Sequence, residues 1–191
     1  MNFKLKFSIL LITTTTFFHL TIVSAQKVSV NVSESSIHWI GKKITGQHDG
    51  VINLLSGNLI MDSGLLTGGN FVVDMNSIKA KDLKGEDARK LEESLKSYEW
   101  FNVAKYPEAK LVLNSVENLG EGFYNVKGDF TIKGKTNPTS FEFQLNDLQA
   151  KTKLIIDRRS YNILSGSNSI IVNIKDKLIN KEFEIEVDLK L

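Results

Sequence analysis

The chain has 191 residues, with 24 Lys and Arg against 22 Asp and Glu, a formal net charge of +2 and no cysteine. This length fits one domain with a core of its own, and the missing cysteine excludes disulfides and a lipid anchor attached through a cysteine. The basic residues form no dense run, so the composition predicts neither nucleic-acid binding nor a polybasic membrane site.

The N-terminus is typical of a secretory signal peptide. Lys4 and Lys6 precede an apolar run over residues 7–23, and small residues follow at Ser24 and Ala25. We expect cleavage before Gln26, a single domain over residues 26–191, and a periplasmic or secreted location. A membrane anchor is the alternative, but threonines and His19 dilute the run and no basic stop follows. No later apolar run is long enough to span a bilayer, so the cleaved chain is not expected to be an integral membrane protein.

The first third of the domain predicts strands, because apolar and polar residues alternate along it. Residues 33–36 are predicted to join the first two strands, and residues 46–50, with glycines at both ends, predict a turn. The alternating positions are Val28, Val30 and Val32; Ile37, Trp39 and Gly41; a stretch at 51–61 with a bulge near Gly57; and Phe71, Val73 and Met75.

One helix is predicted over residues 84–97, where Ala88, Leu91 and Leu95 recur at helical spacing. Asp82 or Asp87 is suitable as its N-cap, and the pattern does not choose between them. The segment continues into Trp100 and Phe101. Because it is the one element outside the strand pattern, we expect it to form a lid or plug at the mouth of the fold.

A hairpin is predicted over residues 124–145. Apolar residues occupy every second position from Tyr124 to Ile132 and again from Phe141. Residues 135–140, which include Pro138, interrupt this alternation, so the turn is predicted there. The later predicted strands carry Ala150, Thr152, Leu154 and Ile156; Ile170, Val172 and Ile174; and Phe183, Ile185, Val187, Leu189 and Leu191. About eight strands with short connections and one helix predict an all-β sandwich or barrel.

Five segments, in this order, resemble the YceI-like proteins. They are residues 38–43 with 46–50, residues 74–78, residues 95–107 (LKSYEWFNVAKYP), residues 128–136 (GDFTIKGKT) and residues 157–161 (DRRSY). Two positions depart from the family: Ser94 stands where many members carry His, and Asn162 stands where many carry Gly.

The resemblance implies an antiparallel eight-stranded lipocalin-like barrel with a short helix at its mouth. It further implies an exported, non-catalytic protein whose elongated apolar cavity binds a long-chain isoprenoid lipid, without a cofactor or metal. A homodimer is left open. Parity alone does not tell whether the inward residues fill the barrel or line a tunnel. The inward set is Trp39, Phe71, Val73, Met75, Trp100, Phe101, Tyr124, Phe130, Ile132, Phe141, Phe143, Phe183, Ile185 and Val187.

Polar residues at the mouth are candidates for a lipid headgroup. His48 is either a headgroup contact or an ordinary turn residue, whereas His38 has the parity of the surface. Arg158 and Arg159 either pair with a carboxylate at the strand end or bind a phosphate headgroup, and the resemblance favours Arg159.

Two other functions remain open at this stage. The first is a hydrolase or isomerase of small lipids that uses His48 with Asp49 or Asp74. The second is a filled barrel that serves as an interaction module of the cell envelope. No catalytic or zinc-binding constellation is found in the sequence, since a zinc site needs three or four closely arranged ligands.

Overall fold

The computed structural model describes residues 25–163 and 179–191. The predicted signal segment at residues 1–24 and the predicted strand at Ile170, Val172 and Ile174 lie outside these ranges. The described elements are β1 (Gln26–Ser29), β2 (Asn31–Lys43), β3 (Gly46–Asp62), β4 (Leu65–Ala80), α1 (Gly85–Lys96), β5 (Glu108–Gly120), β6 (Phe123–Ile132), β7 (Lys135–Leu145), β8 (Gln149–Asp157), a 3₁₀ turn (Arg158–Tyr161) and β9 (Ile179–Lys190).

Eight of these strands close into a barrel. The antiparallel sheet runs in the order β3-β2-β9-β8-β7-β6-β5-β4, and the pairing of β3 with β4 closes it. The short strand β1 pairs with β3 and continues the line of β2, linked by the Val30 N–H to the Gly57 carbonyl at 2.9 Å. The predicted all-β antiparallel barrel with one helix is therefore confirmed.

The connections of the barrel fall at its two ends. The end with the β2–β3 and β6–β7 turns, α1 and the 3₁₀ turn is called the mouth end. The end with the β3–β4, β5–β6 and β7–β8 turns is called the far end. Since each strand reverses direction, successive connections alternate between these two ends. All further positions below are given relative to them.

Two turns lie elsewhere than the sequence predicted. Residues 33–36 belong to β2, where a register shift between Asn31 and Ser36 marks a bulge, and residues 46–50 belong to β3. The actual β2–β3 turn is Ile44–Thr45. Flanking glycines suggested a turn at 46–50, but Gly50 has another use: a Cβ there would come within 2.5 Å of the Trp39 ring and 1.9 Å of the Lys79 carbonyl. Only glycine lets Trp39 lie this close to β3.

The β6–β7 turn is also displaced from its predicted position. It consists of Lys133 and Gly134, with φ angles of 50° and 73°. A two-residue turn with both φ angles positive matches the twist of the strands it joins. Residues 135–140 are part of β7, and Pro138 stands opposite Asp129. Proline is tolerated there because, among the described residues, β7 pairs with β8 only through Phe143–Leu145.

The helix lies close to its predicted bounds, but neither candidate cap is used. The N-cap position is Lys84, which makes no side-chain cap hydrogen bond. Asp82 instead accepts a hydrogen bond from the Asp49 N–H at 3.2 Å and contacts His48. Leu95 is the buried residue of α1, and the helix packs against β4 near the mouth end.

The barrel is filled with side chains toward its far end, and we call this part the filled half. Phe143, at 2% exposure, is the largest of its fully buried residues. It stands opposite Tyr124 on β6 and Thr152 on β8. The other members of the filled half are Leu54, Leu59, Leu66, Phe71, Leu113, Tyr124, Val126, Phe141, Ala150 and Leu189.

Candidate functional site

A cavity of about 470 Å³ occupies the barrel toward its mouth end. Its walls come from inward residues of β2, β3, β4, β6 and β9, and α1 with Trp100 and Phe101 completes them. The volume lies within the range of about 300–1,000 Å³ that is typical of small-molecule sites. The barrel interior is therefore half filled and half hollow, so the fully filled barrel considered above does not describe it.

Most of the predicted ligand-binding residues meet at this cavity, and five of the inward set, Tyr124 among them, do not. The residues that line it are Trp39, Val73, Met75, Trp100, Phe101, Phe130, Ile132, Phe183, Ile185 and His48. Phe71, Phe141 and Phe143 are buried in the filled half instead, and Val187 packs against the same core. Contact of any of these side chains with a lipid stays a prediction.

The segment after α1 forms one wall of the cavity and is held in place by hydrogen bonds. The N–H groups of Phe101 and Val103 donate to carbonyls of the last helical turn, each at 3.1 Å. Lys133 Nζ donates to the Glu99 carbonyl at 3.2 Å and to the Asn162 carbonyl at 3.1 Å. The Phe101 ring meets Phe183 of β9 edge to face, with centroids 6.3 Å apart. The segment predicted as a lid or plug therefore lies in the cavity wall and contacts the β6–β7 turn, and its action as a lid stays a prediction.

Lys43, His48 and Asp82 form a hydrogen-bonded chain at the cavity mouth. Lys43 Nζ lies 2.9 Å from His48 Nε2, and His48 Nδ1 lies 2.7 Å from Asp82 Oδ2. An ammonium can only donate, so Nε2 accepts and Nδ1 carries the proton that it donates to Asp82. Burial alone would raise the pKa of the Asp82 carboxyl, but hydrogen bonds from His48 and from the Asp49 N–H hold it below its ordinary value. Lys43 and His48 both line the cavity.

His48 is placed by β3 and not by a turn, and this determines its partner. Asp49, the next residue in the strand, points to the opposite face, where its carboxylate lies 2.9 Å from His38 Nε2. Asp74 Oδ1 accepts from the backbone N–H of Asn76 at 2.9 Å. Neither carboxylate predicted as a catalytic partner is therefore the one that His48 contacts. That partner is Asp82, which sequence reasoning had considered only as a helix cap.

Of the two neighbouring arginines, Arg158 and not Arg159 lines the cavity. Arg158 is 4% exposed. Its guanidinium donates to the carbonyls of Ile163 at 2.9 Å, Asn180 at 3.0 Å and Ile179 at 3.3 Å. It also lies 5.9 Å from the Trp100 ring. The strand parity that places Ile156 inward would have indicated Arg158.

Arg159 lies on the outside and forms an ion pair at the strand end. Its side chain meets the Asp157 carboxylate through two bonds, of 3.0 and 2.6 Å. These bonds lower the pKa of Asp157 from 3.8 to about 2, against the opposing effect of burial. The structure therefore shows for Arg159 the strand-end pairing that was the alternative to headgroup binding.

The comparison with known families agrees with this architecture. The model of the YceI-like domain matches residues 27–191. The chain belongs to the YceI-like domain family. The curated relatives of this YceI-like chain include UPF0312 proteins: 32% identity over 97 residues with one from Pseudomonas putida strain W619, and 28% over 93 residues with one from Shewanella denitrificans. The first alignment covers 51% of this chain and 48% of the relative, so the match spans about half the length of that protein.

Solved structures share the fold of this YceI-like chain. Burkholderia cenocepacia BcnA superposes with a TM-score of 0.70 at 21% identity, over 85% of this chain and 99% of BcnA. A polyisoprenoid-binding domain from Saccharophagus degradans, implicated in plant cell wall breakdown, gives a TM-score of 0.61 at 17% identity, over 87% and 98%. At these identities the likeness establishes the barrel fold alone.

The two departures from the family pattern have clear positions in this YceI-like chain. Ser94 lies on α1 in the cavity wall. Asn162 ends the 3₁₀ turn with φ 54° and ψ 34°, the left-handed conformation that asparagine adopts more readily than most residues other than glycine. Asparagine therefore preserves the turn geometry that glycine would give.

The described residues add two further findings on function. Within residues 25–163 and 179–191, no group of three His, Cys, Asp or Glu side chains is arranged to hold a metal ion. In the same ranges, no helix has the length and apolar character needed to cross a membrane.

Proposed function

We propose that this chain is an exported carrier or sequestering protein that binds the tail of a long-chain isoprenoid lipid in the barrel cavity. The observation that supports this most is the cavity itself, which is lined mainly by aromatic and aliphatic side chains and ends against the filled half. The ligand class is supported by the Saccharophagus degradans polyisoprenoid-binding domain, which shares this fold. The proposed role is binding without catalysis.

The size of the cavity sets how much of a tail it holds. At roughly 30 Å³ per methylene-sized or water-sized group, a volume of about 470 Å³ takes about sixteen such groups, or about three isoprene units. Burial at about 0.8 kcal/mol per group contributes about 13 kcal/mol, against an association cost of about 4–15 kcal/mol. Affinity should therefore rise with chain length until the tail fills the cavity, and level off for longer chains.

The polar end of the lipid is expected at Lys43 and His48. An ammonium carries three N–H groups, and the single hydrogen bond of Lys43 Nζ within the described residues goes to His48. The remaining donors suit an oxygen-rich headgroup at the mouth. Asp82 holds the His48 ring in place from the outside, as a positioning residue.

A matched pair of substitutions tests the cavity. Ile185→Trp places a large ring into the hollow half, whereas Ile155→Trp adds the same ring to a side chain that is 61% exposed on the outer face of β8. We expect native mass spectrometry to show that the Ile185→Trp variant no longer binds added polyprenyl lipid, whereas the Ile155→Trp variant binds it as the parent chain does. Circular dichroism controls for folding. Bare protein for the parent chain, or unchanged uptake by folded Ile185→Trp, contradicts the proposal.

Export is tested independently on the expressing cell. We expect the protein in the periplasm or medium, with an intact mass equal to that of a chain whose first residue is Gln26. An unprocessed chain that stays inside the cell would contradict export without affecting the lipid test. The same native spectra report whether the protein is a monomer or a dimer.

A further inference from the structure

Among the described residues, two of the most exposed apolar side chains flank the cavity mouth. Ile44 in the β2–β3 turn is 72% exposed, and Tyr98, between α1 and Trp100, is 77% exposed. Tyr98 lies beside the β6–β7 turn, since Lys133 Nζ is 5.9 Å from the centre of its ring. In the strand order of the barrel, these two turns lie on opposite sides. Ile44 and Tyr98 therefore project from opposite edges of the opening.

The surroundings of these two residues are basic. Lys81 and Lys84 are exposed after β4, and Lys105 and Lys135 are exposed on the side of Tyr98. No ion pair of the described residues involves any of these four lysines. They are scattered along the sequence, so the absence of a dense basic run did not reveal them.

Most carboxylates at the mouth end are already paired, which leaves these lysines in excess. On α1, Glu86 pairs with Lys90 at 2.9 Å, Glu93 with Arg89 at 2.7 Å, and Glu92 with Lys79 of β4 at 2.9 Å. Asp82 is held by His48, Asp157 by Arg159, and Glu184 by Lys42 and Lys153. Asp87 and Glu99 are the exposed acidic residues without an ion pair in this region of the described chain.

The exposed apolar residues of the far end have acidic neighbours, which makes this end a useful reference. Leu148 in the β7–β8 turn is 73% exposed, as much as Ile44, and Leu119 is 53% exposed. Acidic residues stand close by in the sequence, Asp147 beside Leu148 and Glu121 two positions after Leu119 at the end of β5. Exposed apolar residues alone do not distinguish the two ends. The combination of apolar side chains, unpaired lysines and a cavity opening occurs at the mouth end.

We propose that the mouth end docks on a membrane surface that contains anionic phospholipids. Ile44 and Tyr98 enter the headgroup layer, and Lys81, Lys84, Lys105 and Lys135 face the lipid phosphates. This inference rests on the proposed tail-binding function, because it presents the cavity opening to the bilayer from which a tail would enter. The tail then passes between membrane and cavity without crossing water.

Two weak attractions acting together give reversible binding. Inserted apolar residues and basic side chains near an anionic surface each contribute modestly, and a stable attachment needs both. The electrostatic part falls with salt, since the screening length shortens from about 10 Å at 0.1 M to about 3 Å at 1 M. Binding should therefore need anionic lipid and should weaken as salt is added.

Co-sedimentation with lipid vesicles tests the docking. One set of vesicles is phosphatidylcholine alone, the other contains added phosphatidylglycerol, and neither contains an isoprenoid. Ile44→Asp is compared with Leu148→Asp, which makes the same kind of change in an equally exposed turn at the far end. Lys81→Glu is compared with Lys127→Glu, which alters an exposed lysine on the barrel wall. Intact mass confirms that all preparations have the same N-terminus.

We expect binding to the anionic vesicles only, a loss of about tenfold for Ile44→Asp and Lys81→Glu, and no loss for the two control variants. Equal binding to both vesicle types, no binding, or equal loss in each matched pair would overturn the proposal. A parent dimer that Ile44→Asp converts to a monomer without lipid would also overturn it, since Ile44 would then lie in a subunit interface. Because the vesicles hold no isoprenoid, such results leave the native mass spectrometry test of tail binding unaffected.

Discussion

Replacing one phenylalanine in each half of the barrel tests whether one half is filled and the other hollow. Phe143 is 2% exposed and lies among the buried side chains of the filled half. Phe183 lines the cavity and packs edge to face on Phe101 at 6.3 Å. The same substitution, Phe→Ala, therefore removes a ring from a packed core in one case and from a cavity wall in the other.

The two variants should differ in stability by about 2 kcal/mol. Phe143→Ala loses the transfer free energy of the ring and leaves a new void, for a cost of about 3–5 kcal/mol. Phe183→Ala enlarges a space that already exists. It loses the ring contact, which contributes about 0.5–1.5 kcal/mol, and part of the transfer free energy, so that its total cost is about 1–2 kcal/mol. In the folding equilibrium, a 2 kcal/mol difference is about thirtyfold.

Urea unfolding of lipid-free protein measures this difference. Lipid must be removed first, because a bound tail stabilises the folded state and would do so unequally in the two variants. The slope of the unfolding free energy against urea should stay unchanged, which shows that the same surface is exposed in each case. Losses equal within about 0.5 kcal/mol would refute the assignment of a filled and a hollow half.

Three other outcomes follow from the segment that ends β8. Arg158→Met should cost about 3–5 kcal/mol in urea unfolding, because one buried and two partly buried carbonyls lose their donor, whereas substitution of the exposed Arg159 by Met should cost much less; the reverse order would contradict the placement of the two side chains. The Asp157 pKa of about 2 lies below its ordinary 3.8, so its stabilisation is complete above pH 3.8 and is lost as the pH falls toward 2. Arg159→Met should therefore flatten acid unfolding in that window, followed by circular dichroism, and an unchanged profile would contradict the ion pair. Asn162→Gly should keep stability within about 0.5 kcal/mol, and Asn162→Val should lose more than about 1 kcal/mol, because valine is strained at positive φ; equal melting of the two variants would argue against the left-handed turn.

Most of the fold could be predicted from alternation, because each strand has one face toward the barrel interior. The regular patterns around Phe130 on β6 and Ile185 on β9 predicted both the strands and their inward residues. Turn positions were less predictable, since Pro138 is tolerated inside β7 where β8 does not pair with it. The real turn uses Lys133 with Gly134, and a lysine at positive φ is not indicated by its residue type.

The site was less predictable, since alternation gives the direction of a side chain and not its depth along the barrel. Phe143 and Phe183 have the same inward parity, yet one is core and the other borders the cavity. The contact between His48 on β3 and Asp82 in the connection after β4 joins residues 34 positions apart, and no local sequence pattern predicts it. At the end of β8, the resemblance favoured Arg159, whereas the parity of the strand pointed to Arg158.

The placement of Pro138 also bears on how this barrel avoids joining other copies of itself. Counting from the Lys133–Gly134 turn, paired residues of β6 and β7 alternate between hydrogen-bonded and non-hydrogen-bonded, and Asp129 with Pro138 falls in the second kind. The proline nitrogen therefore points to the side of β7 where, among the described residues, β8 does not pair with it. A foreign strand arriving on this side would find no donor at that point and a ring in its way. Within the described residues, the part of β7 that does not pair with β8 is thereby less suited to edge-to-edge aggregation.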